Sequence, residues 1–343
     1  MRLFEIIKRF LPSYRAQKKT INRIKELESE INSLKNQIRD ANDKNEFLFF
    51  CQNALPGESI EETKRRVFLN IPKADGKLRY IQLGSNYILQ KLKKICDENE
   101  IEFFLSGGTV IGAIRHNGFI PWDDDIDVFI MQDQFDKLKA AIKYDDEISI
   151  KRYYNYFGSR NEGTTFIKAK FKDSELFYVD IFILDRVDVK MNTVDEEWEK
   201  YDQLCNEFHN ELGDYLNSKG FIFRNRPIAI PEFEEDAENM IRKYKNRMSF
   251  SNSGEFVCES IEFSNLFVRI EGMLPYNEYF PLLINEALFE GEHYNLSKNY
   301  KMKLYNQYGD IWKLPSTISW THPMEFIDFS DNEISILKRL SLI

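Results

Sequence analysis

Residues 104–130 read FLSGGTVIGAIRHNGFIPWDDDIDVFI, and the order of residue types in this stretch decides the architecture. Ile101–Leu105 (IEFFL) has the composition of a buried strand, and Ser106-Gly107-Gly108 is the turn that ends it. The pattern then predicts a short helix over Thr109–Arg115, a loop over His116–Asp124 and a second buried strand over Ile126–Met131. Asp125 and Asp127 stand one residue apart at the head of that second strand. Side chains alternate faces along a strand, so both carboxylates project to one side with Cα atoms ~7 Å apart. Ile126 and Val128 point the other way, into the core. An isolated Asp-x-Asp is usually an exposed acidic loop, but here the second acid begins an apolar strand, IDVFI.

A third acid follows the same grammar. In LFYVDIFIL (residues 176–184), Asp180 is enclosed by apolar and aromatic residues on both sides. A lone carboxylate inside such a strand must be paired or metal-bound, since burying it alone costs several kcal/mol. If its strand neighbours the first, Asp125, Asp127 and Asp180 converge. Like charges held that close call for a cation, and an all-oxygen donor set suits a hard ion, Mg²⁺ or Mn²⁺. Gly107 and Gly108 let the backbone approach a phosphate, and the helix opening at Thr109 offers free N–H groups. A Gly-Gly turn, a strand bearing Asp-x-Asp and a further strand bearing one Asp make up the arrangement of the nucleotidyltransferase superfold. Other residues carry two readings each. Arg115 and His116 are candidates for donor phosphate or ribose, or positive charges favoured at a helix C-terminus. Trp122 is a candidate for stacking on a base, or packing. Lys168 and Lys170, two apart on one strand face, are candidates to neutralise a diphosphate, or exposed edge-strand lysines. Asp185 supports the site or simply closes a turn.

The run GGTVIGAIRHNGFIPWDDDIDV (residues 107–128) resembles the signature of the LicD-type phosphotransferases, a family that includes fukutin and fukutin-related protein. VDIFILD (179–185) and FEGEHYNLSKNYKMKLYNQYGDIWKLP (289–315) agree with it, so the likeness spans roughly residues 80–185 and 285–315. Leu184 departs from the family, which often has proline there. The resemblance implies transfer of a substituted phosphate from a CDP-activated donor (CDP-choline, CDP-ribitol or CDP-glycerol) to a hydroxyl of a cell-surface glycan such as capsule, teichoic acid or lipopolysaccharide. It implies Asp125, Asp127 and Asp180 as catalytic metal ligands, and Gly107, Gly108 and Thr109 around the donor phosphates. Two alternatives stand beside it: a nucleotidyltransferase making a CDP- or NMP-linked product, and a non-catalytic coiled-coil scaffold of a glycan-assembly complex.

Working outward, Gln132–Tyr144 and Tyr87–Asn99 read as amphipathic helices, and Thr165–Phe171 and Glu175–Leu184 as paired strands. Two charged helical stretches, Thr193–Ser218 and Phe233–Met248, lie in a region near 190–280 that reads as a helical insertion. At the other end, residues 1–25 hold eight Lys and Arg against Glu5 alone, although the whole chain carries −9. Residues 1–19 therefore form a basic amphipathic arm, expected to end its first helix at Pro12 and suited to peripheral contact with anionic lipid or to docking on protein. From residue 20 a heptad takes over: Ile24, Ile31 and Ile38 recur every seven residues, as do Leu27, Leu34 and Ala41. Isoleucine at a and leucine at d favours a parallel two-stranded coil, and predicts a homodimer through residues 20–42. The expected layout is thus an arm (1–19), a short coiled coil (20–45) and an α+β catalytic domain (46–343), its nucleotidyltransferase-like sheet flanked by helices. At 343 residues the chain is ample for a sizeable core. Its acidity argues against a nucleic-acid-binding surface, and no apolar run nears the ~20 residues of a spanning helix. Four scattered cysteines without a CxxC pair fit reduced thiols in a cytoplasmic protein, and the basic arm 1–19 leaves open a peripheral place on the inner face of the membrane.

Overall fold

The first helix, α1, runs unbroken from Arg2 to Asn53. The expected break at Pro12 does not occur. A proline removes one donor and crowds the turn before it, which costs about 3 kcal/mol, and helix propagating on both sides offsets that loss. The computed structural model describes residues 2–158, 160–221, 227–263, 272–315 and 328–343, and leaves the side chains of residues 2–18 undescribed. The amphipathic face expected of residues 1–19 therefore lies outside the described residues. The heptad residues fall inside them: Ile24, Leu27, Ile31, Leu34 and Ile38 are all exposed. The chain divides into two compact units, residues 1–67 and 68–343. Within the first, Ser59 and Glu62 form a reciprocal capping box that starts α2 (Ile60–Leu69), and Arg66 holds Glu58 at 2.7 Å and the Asn53 carbonyl at 2.6 Å.

The second unit follows as α3 (Gly76–Glu98), β1 (Phe103–Leu105), α4 (Gly107–His116), β2 (Asp127–Met131), α5 (Gln132–Ile142), β3 (Ile148–Phe157), β4 (Glu162–Phe171) and β5 (Tyr178–Val187). After these come α6 (Val194–Ser218), β6 (Ile228–Ala229), α7 (Glu234–Lys245), β7 (Phe256–Glu259), β8 (Leu274–Pro275) and a hairpin of β9 (Leu283–Phe289) and β10 (Glu292–Leu296). Helices Tyr300–Tyr308 and Asp331–Arg339 close the chain. The main sheet has the order β1-β2-β5-β4-β3-β6, with β7 on the outer part of β5 and β8 on β7. Only β2 and β5 run parallel among these pairs, so the sheet is mixed and the class is α+β.

The strand pleat gives this sheet two unlike faces. Val128, Ile130, Ile167, Ala169, Ile181 and Ile183 share one buried cluster with Ile88, Leu89 and Leu92 of α3 and Phe135 and Leu138 of α5. The α3 and α5 residues recur at three- and four-residue spacing, the stripe a helix needs to cover a sheet. The opposite face starts with Asp127, Asp180 and Lys168 in adjacent register. The region 190–280 contains the two expected helices, α6 and α7, whose apolar residues gather around Tyr154, Tyr156 and Val187 in a second core. It also supplies β6, β7 and β8 to the sheet. The four cysteines are free thiols, three of them buried.

Candidate active site

The register of one strand pair builds the centre. Asp127 lies directly opposite Asp180 across the parallel β2–β5 ladder, and the Asp180 N–H donates to the Ile126 carbonyl at 2.8 Å. Asp125 precedes Asp127 by one pleat, so its carboxylate comes to the same side. One carboxylate oxygen from each of Asp125, Asp127 and Asp180 lies within 4.8 Å of the others. Burial raises the carboxyls of Asp125 and Asp127 well above the usual range. Neighbouring negative charge adds to it, first from Asp127 on Asp125 and from Asp180 on Asp127, and from Asp123 on both. Three oxygen donors at this spacing, each disfavouring the charge of the others, fit a hard divalent cation.

The segment before α4 supports this centre from behind. The Ser106 N–H donates to the Asp127 carbonyl at 3.0 Å, and the Asp127 N–H donates to the Thr109 hydroxyl at 2.8 Å. Thr109 is buried, so the structure places its side chain on β2. Gly107 has φ +52°, in the left-handed region where glycine is at ease. A Cβ there would lie 2.8 Å from Asp127 Oδ2 and 3.4 Å from Tyr308 Oη, and one at Gly108 would lie 3.0 Å from Asp123 Oδ2. The two glycines thus bring backbone against the carboxylates. First-turn N–H groups have no partner inside a helix, and Ser106 at the N-cap makes no side-chain bond to those of α4.

Lys168 joins the triad. Its Nζ lies 3.0 Å from Asp180 Oδ1 and 3.3 Å from the centroid of the Tyr178 ring. Lys170, two residues along the same face, is buried and pairs with Glu175, which also accepts from the Tyr153 hydroxyl. Arg115, His116 and Trp122 form a separate interlocked group. The Arg115 guanidinium lies over the Phe68 ring, 4.5 Å from its centroid, and donates to the Ile311 carbonyl at 2.7 Å and to His116 Nε2 at 2.9 Å. Since Nε2 accepts, the His116 proton sits on Nδ1 and is given to the Phe68 carbonyl at 2.9 Å. Burial, with the Arg115 charge beside it, lowers His116 to about 4, so the imidazole is neutral near pH 7. Burial likewise lowers Arg115 to about 10. Trp122 packs edge-on against His116, 6.2 Å between ring centroids. Asp185 lies at the far end of β5 in an ion pair with Lys245 at 2.6 Å.

Other residues come to the centre from outside the carboxylate strands, among them Tyr308, which the sequence reads as closing either the site or the core. Tyr308, at the end of helix Tyr300–Tyr308, brings its hydroxyl against Gly107 and faces the acids. Burial raises that hydroxyl's pKa, and Asp127, Asp123 and Asp125 raise it further. The acidic loop is held by residues far away in the chain. Glu290, at the tip of the β9–β10 hairpin, accepts from Arg79 at 2.7 and 3.1 Å and pairs with Lys73 at 2.8 Å. Its N–H donates to the Asn117 carbonyl at 3.0 Å, and the Gln82 amide donates to the Asp123 carbonyl at 2.8 Å. Gly112 and Gly118 let α4 touch this loop, since a Cβ on Gly112 would stand 2.4 Å from the Gly118 carbonyl oxygen. In the sequence, Glu290 and Tyr308 both lie inside the 289–315 stretch that resembles the family.

This mixed sheet, with acids at the head of a parallel strand pair beside a glycine-opened helix, defines a transferase domain of the nucleotidyltransferase type. Residues 100–231 match the family model described as LicD/FKTN/FKRP, nucleotidyltransferase domain. Over 254 residues the chain is 28% identical to the lipopolysaccharide cholinephosphotransferase LicD of Haemophilus influenzae, an overlap covering 69% of this chain and 92% of that protein. An uncharacterized protein of Rickettsia prowazekii is 26% identical over 201 residues, 50% of this chain and 74% of its own length. One from Caenorhabditis elegans is 28% identical over 144 residues, 40% of this chain and 36% of its own. Residues 100–231 thus carry a nucleotidyltransferase domain of the LicD type.

Proposed function

We propose that the protein moves a substituted phosphate, phosphocholine first among the candidates, from a CDP-activated donor to a hydroxyl of a cell-surface glycan. The convergence of Asp125, Asp127 and Asp180 across the β2–β5 ladder carries this reading. The name of the Haemophilus relative supports phosphocholine and lipopolysaccharide; ribitol phosphate and glycerol phosphate are further donor groups that the sequence resemblance implies. In the reaction, the acceptor oxygen bonds to the phosphorus bearing the head group. The bond from that phosphorus to the CMP oxygen breaks, CMP leaves with the bond's electron pair, and the hydroxyl proton passes to solvent water. Asp125, Asp127 and Asp180 would hold Mg²⁺ or Mn²⁺, which supplies charge stabilisation to the phosphate oxygens. The first turn of α4 points N–H groups at the same place, and Gly107 and Gly108 leave room for the diphosphate. Lys168 holds Asp180 in position and offsets its charge. The Tyr308 hydroxyl stays protonated and donates to a phosphate oxygen. Arg115, His116 and Trp122 act by bracing the loop that carries Asp123–Asp125. Among the described residues no helix is long and apolar enough to cross a membrane. The basic residues 1–19 are suited to bring the protein to a membrane-linked acceptor or to a partner protein.

The test is a thermal-shift series of the full chain with CDP-choline, CDP-ribitol, CDP-glycerol or CTP, with and without Mn²⁺, followed by product analysis. A ligand at 100 times its dissociation constant adds ~2.7 kcal/mol of stability. We expect a CDP donor to stabilise only with Mn²⁺, and CMP to appear on transfer. The double variant Asp125→Asn, Asp127→Asn should fold and lose both effects. Pyrophosphate released from CTP would replace this reading with nucleotidyl transfer, and full activity in the double variant would remove the triad from the chemistry.

A further inference from the structure

Helix α1 carries an unpartnered apolar stripe in a long solvent-exposed helix. Ile24, Ile31, Ile38, Leu27, Leu34 and Leu48 are each between 41% and 60% exposed, in contrast to the apolar residues on the inner face of the sheet. With Ile24 at a, the unbroken helix carries the heptad beyond the span read from sequence, to Asn45 at a and Leu48 at d. The stripe from 24 to 48 is thus ~36 Å long. We propose that its occupant is a second copy of this chain, in a parallel two-stranded coiled coil over residues 23–49.

Three observations single out that occupant. Isoleucine at three a positions with leucine at d favours two strands. In a parallel pair the g and e positions of the two copies meet as Arg23 with Glu28 and Glu30 with Lys35, and both are opposite charges. Arg23 now lies 3.1 Å from Glu26 and 3.9 Å from Glu30 of its own helix, pairs so exposed that exchanging them costs little. The third is Asn45. A parallel pair sets it against its own copy, where one asparagine bonds the other and fixes register and strand number. An antiparallel pair overlapping the same residues would set Asn45 against Leu27 and Arg23 against Lys44, an unpaired amide and a like-charge contact.

The experiment is the solution mass of the full chain by light scattering at micromolar concentration, beside two variants. The wild type should have twice the 40.8 kDa chain mass. Ile31→Asp with Leu34→Asp should have the single mass and an unchanged far-ultraviolet signal, because the substituted positions are exposed. Ile24→Cys in a Cys51→Ser background should form an interchain disulfide in air, since only a parallel pair brings the two copies of position 24 together. A monomeric wild type would overturn the proposal and leave the stripe to another protein or to a lipid surface. A mass that survives both aspartates, a trimer, or an Ile24→Cys protein that does not cross-link would overturn it equally. None of these results depends on the chemistry of residues 125, 127 and 180.

Discussion

Replacing Gly107 by alanine tests the site with one added methyl group. The new Cβ would stand 2.8 Å from Asp127 Oδ2, where ordinary contact begins near 3.4 Å, so the carboxylate must retreat by about 0.6 Å. Active-site groups work within about 0.5 Å of their productive positions, and Mg²⁺ demands near-ideal distances. Displacing a supporting shell by this amount should cost 10- to 100-fold in metal affinity, by analogy with substitutions behind metal ligands. Alanine at φ +52° adds backbone strain of about 1–2 kcal/mol, a fall in Tm of roughly 2–8 °C. The strain needs its own control. Gly76 has φ +54° and nothing within 4 Å of its would-be Cβ, so Gly76→Ala carries the strain without the clash. Differential scanning fluorimetry with increasing Mn²⁺, together with CMP release, separates the two effects. Both variants should melt earlier than wild type, and only Gly107→Ala should lose the metal-dependent rise in Tm and the turnover. If Gly107→Ala responds to Mn²⁺ as Gly76→Ala does, the close packing of glycine and carboxylate does not shape the metal site.

Tyr308→Phe removes one hydroxyl at the acidic cluster and leaves the ring. Turnover should fall by on the order of 10² with Tm unchanged, as for loss of a single transition-state donor, and steady-state kinetics showing wild-type kcat would refute the role. Glu290→Gln keeps the shape of the hairpin tip but leaves Arg79 without its charged partner, which should cost roughly 3 kcal/mol in urea unfolding. Burial raises the Glu290 carboxyl, but Arg79 and Lys73 hold it below the ordinary range, so its contribution is present above that range and lost as pH falls through it. The gap between wild type and variant should therefore be full at pH 7 and shrink below about pH 4, and a gap independent of pH would exclude the ion pair as its source.

The centre was legible because strands translate spacing into direction. Asp-x-Asp on a strand puts two carboxylates on one face wherever that strand lies, and an acid enclosed by FYV and IFI must have a reason to be buried. The remaining inference, that the two strands are neighbours, concerned pairing over fifty residues of intervening chain, and the observed register sets Asp127 opposite Asp180. What stayed illegible depended on long-range contact. Strand β3 was missed because KRYYNYF shows no alternation. Both of its faces are buried, and its Arg152 is neutralised by Glu234, Glu238 and Glu262 from other elements. The Glu290 clamp joins residues more than two hundred positions apart, and a lone Glu beside a turn glycine looks like any surface hairpin. Arg115 and His116 carried two readings in sequence, and only the packed structure shows their polar atoms turned to Phe68 and Ile311.

The charge of the site gives a reason why its acids and the proposed donor would require a third party. Asp123, Asp125, Asp127 and Asp180 press on one another, and Lys168 is in direct contact with the triad through Asp180. At 4.8 Å and an effective dielectric of 20, one pair of unit charges repels by ~3.5 kcal/mol, so three mutual contacts far exceed what one lysine relieves. Without another positive charge the cluster takes up protons, which is the upward shift of Asp125 and Asp127. A CDP donor is itself anionic and would meet the same repulsion as it approached α4. A divalent ion at the three carboxylates would resolve both difficulties, because it would displace the protons and reverse the sign of the field that the proposed diphosphate meets. Donor binding and metal binding should then be thermodynamically linked, each tightening the other by the same factor. Equal donor affinity with and without Mn²⁺, measured by calorimetry on the full chain, would show that the N–H groups of α4 and Lys168 suffice and that the carboxylates serve another purpose.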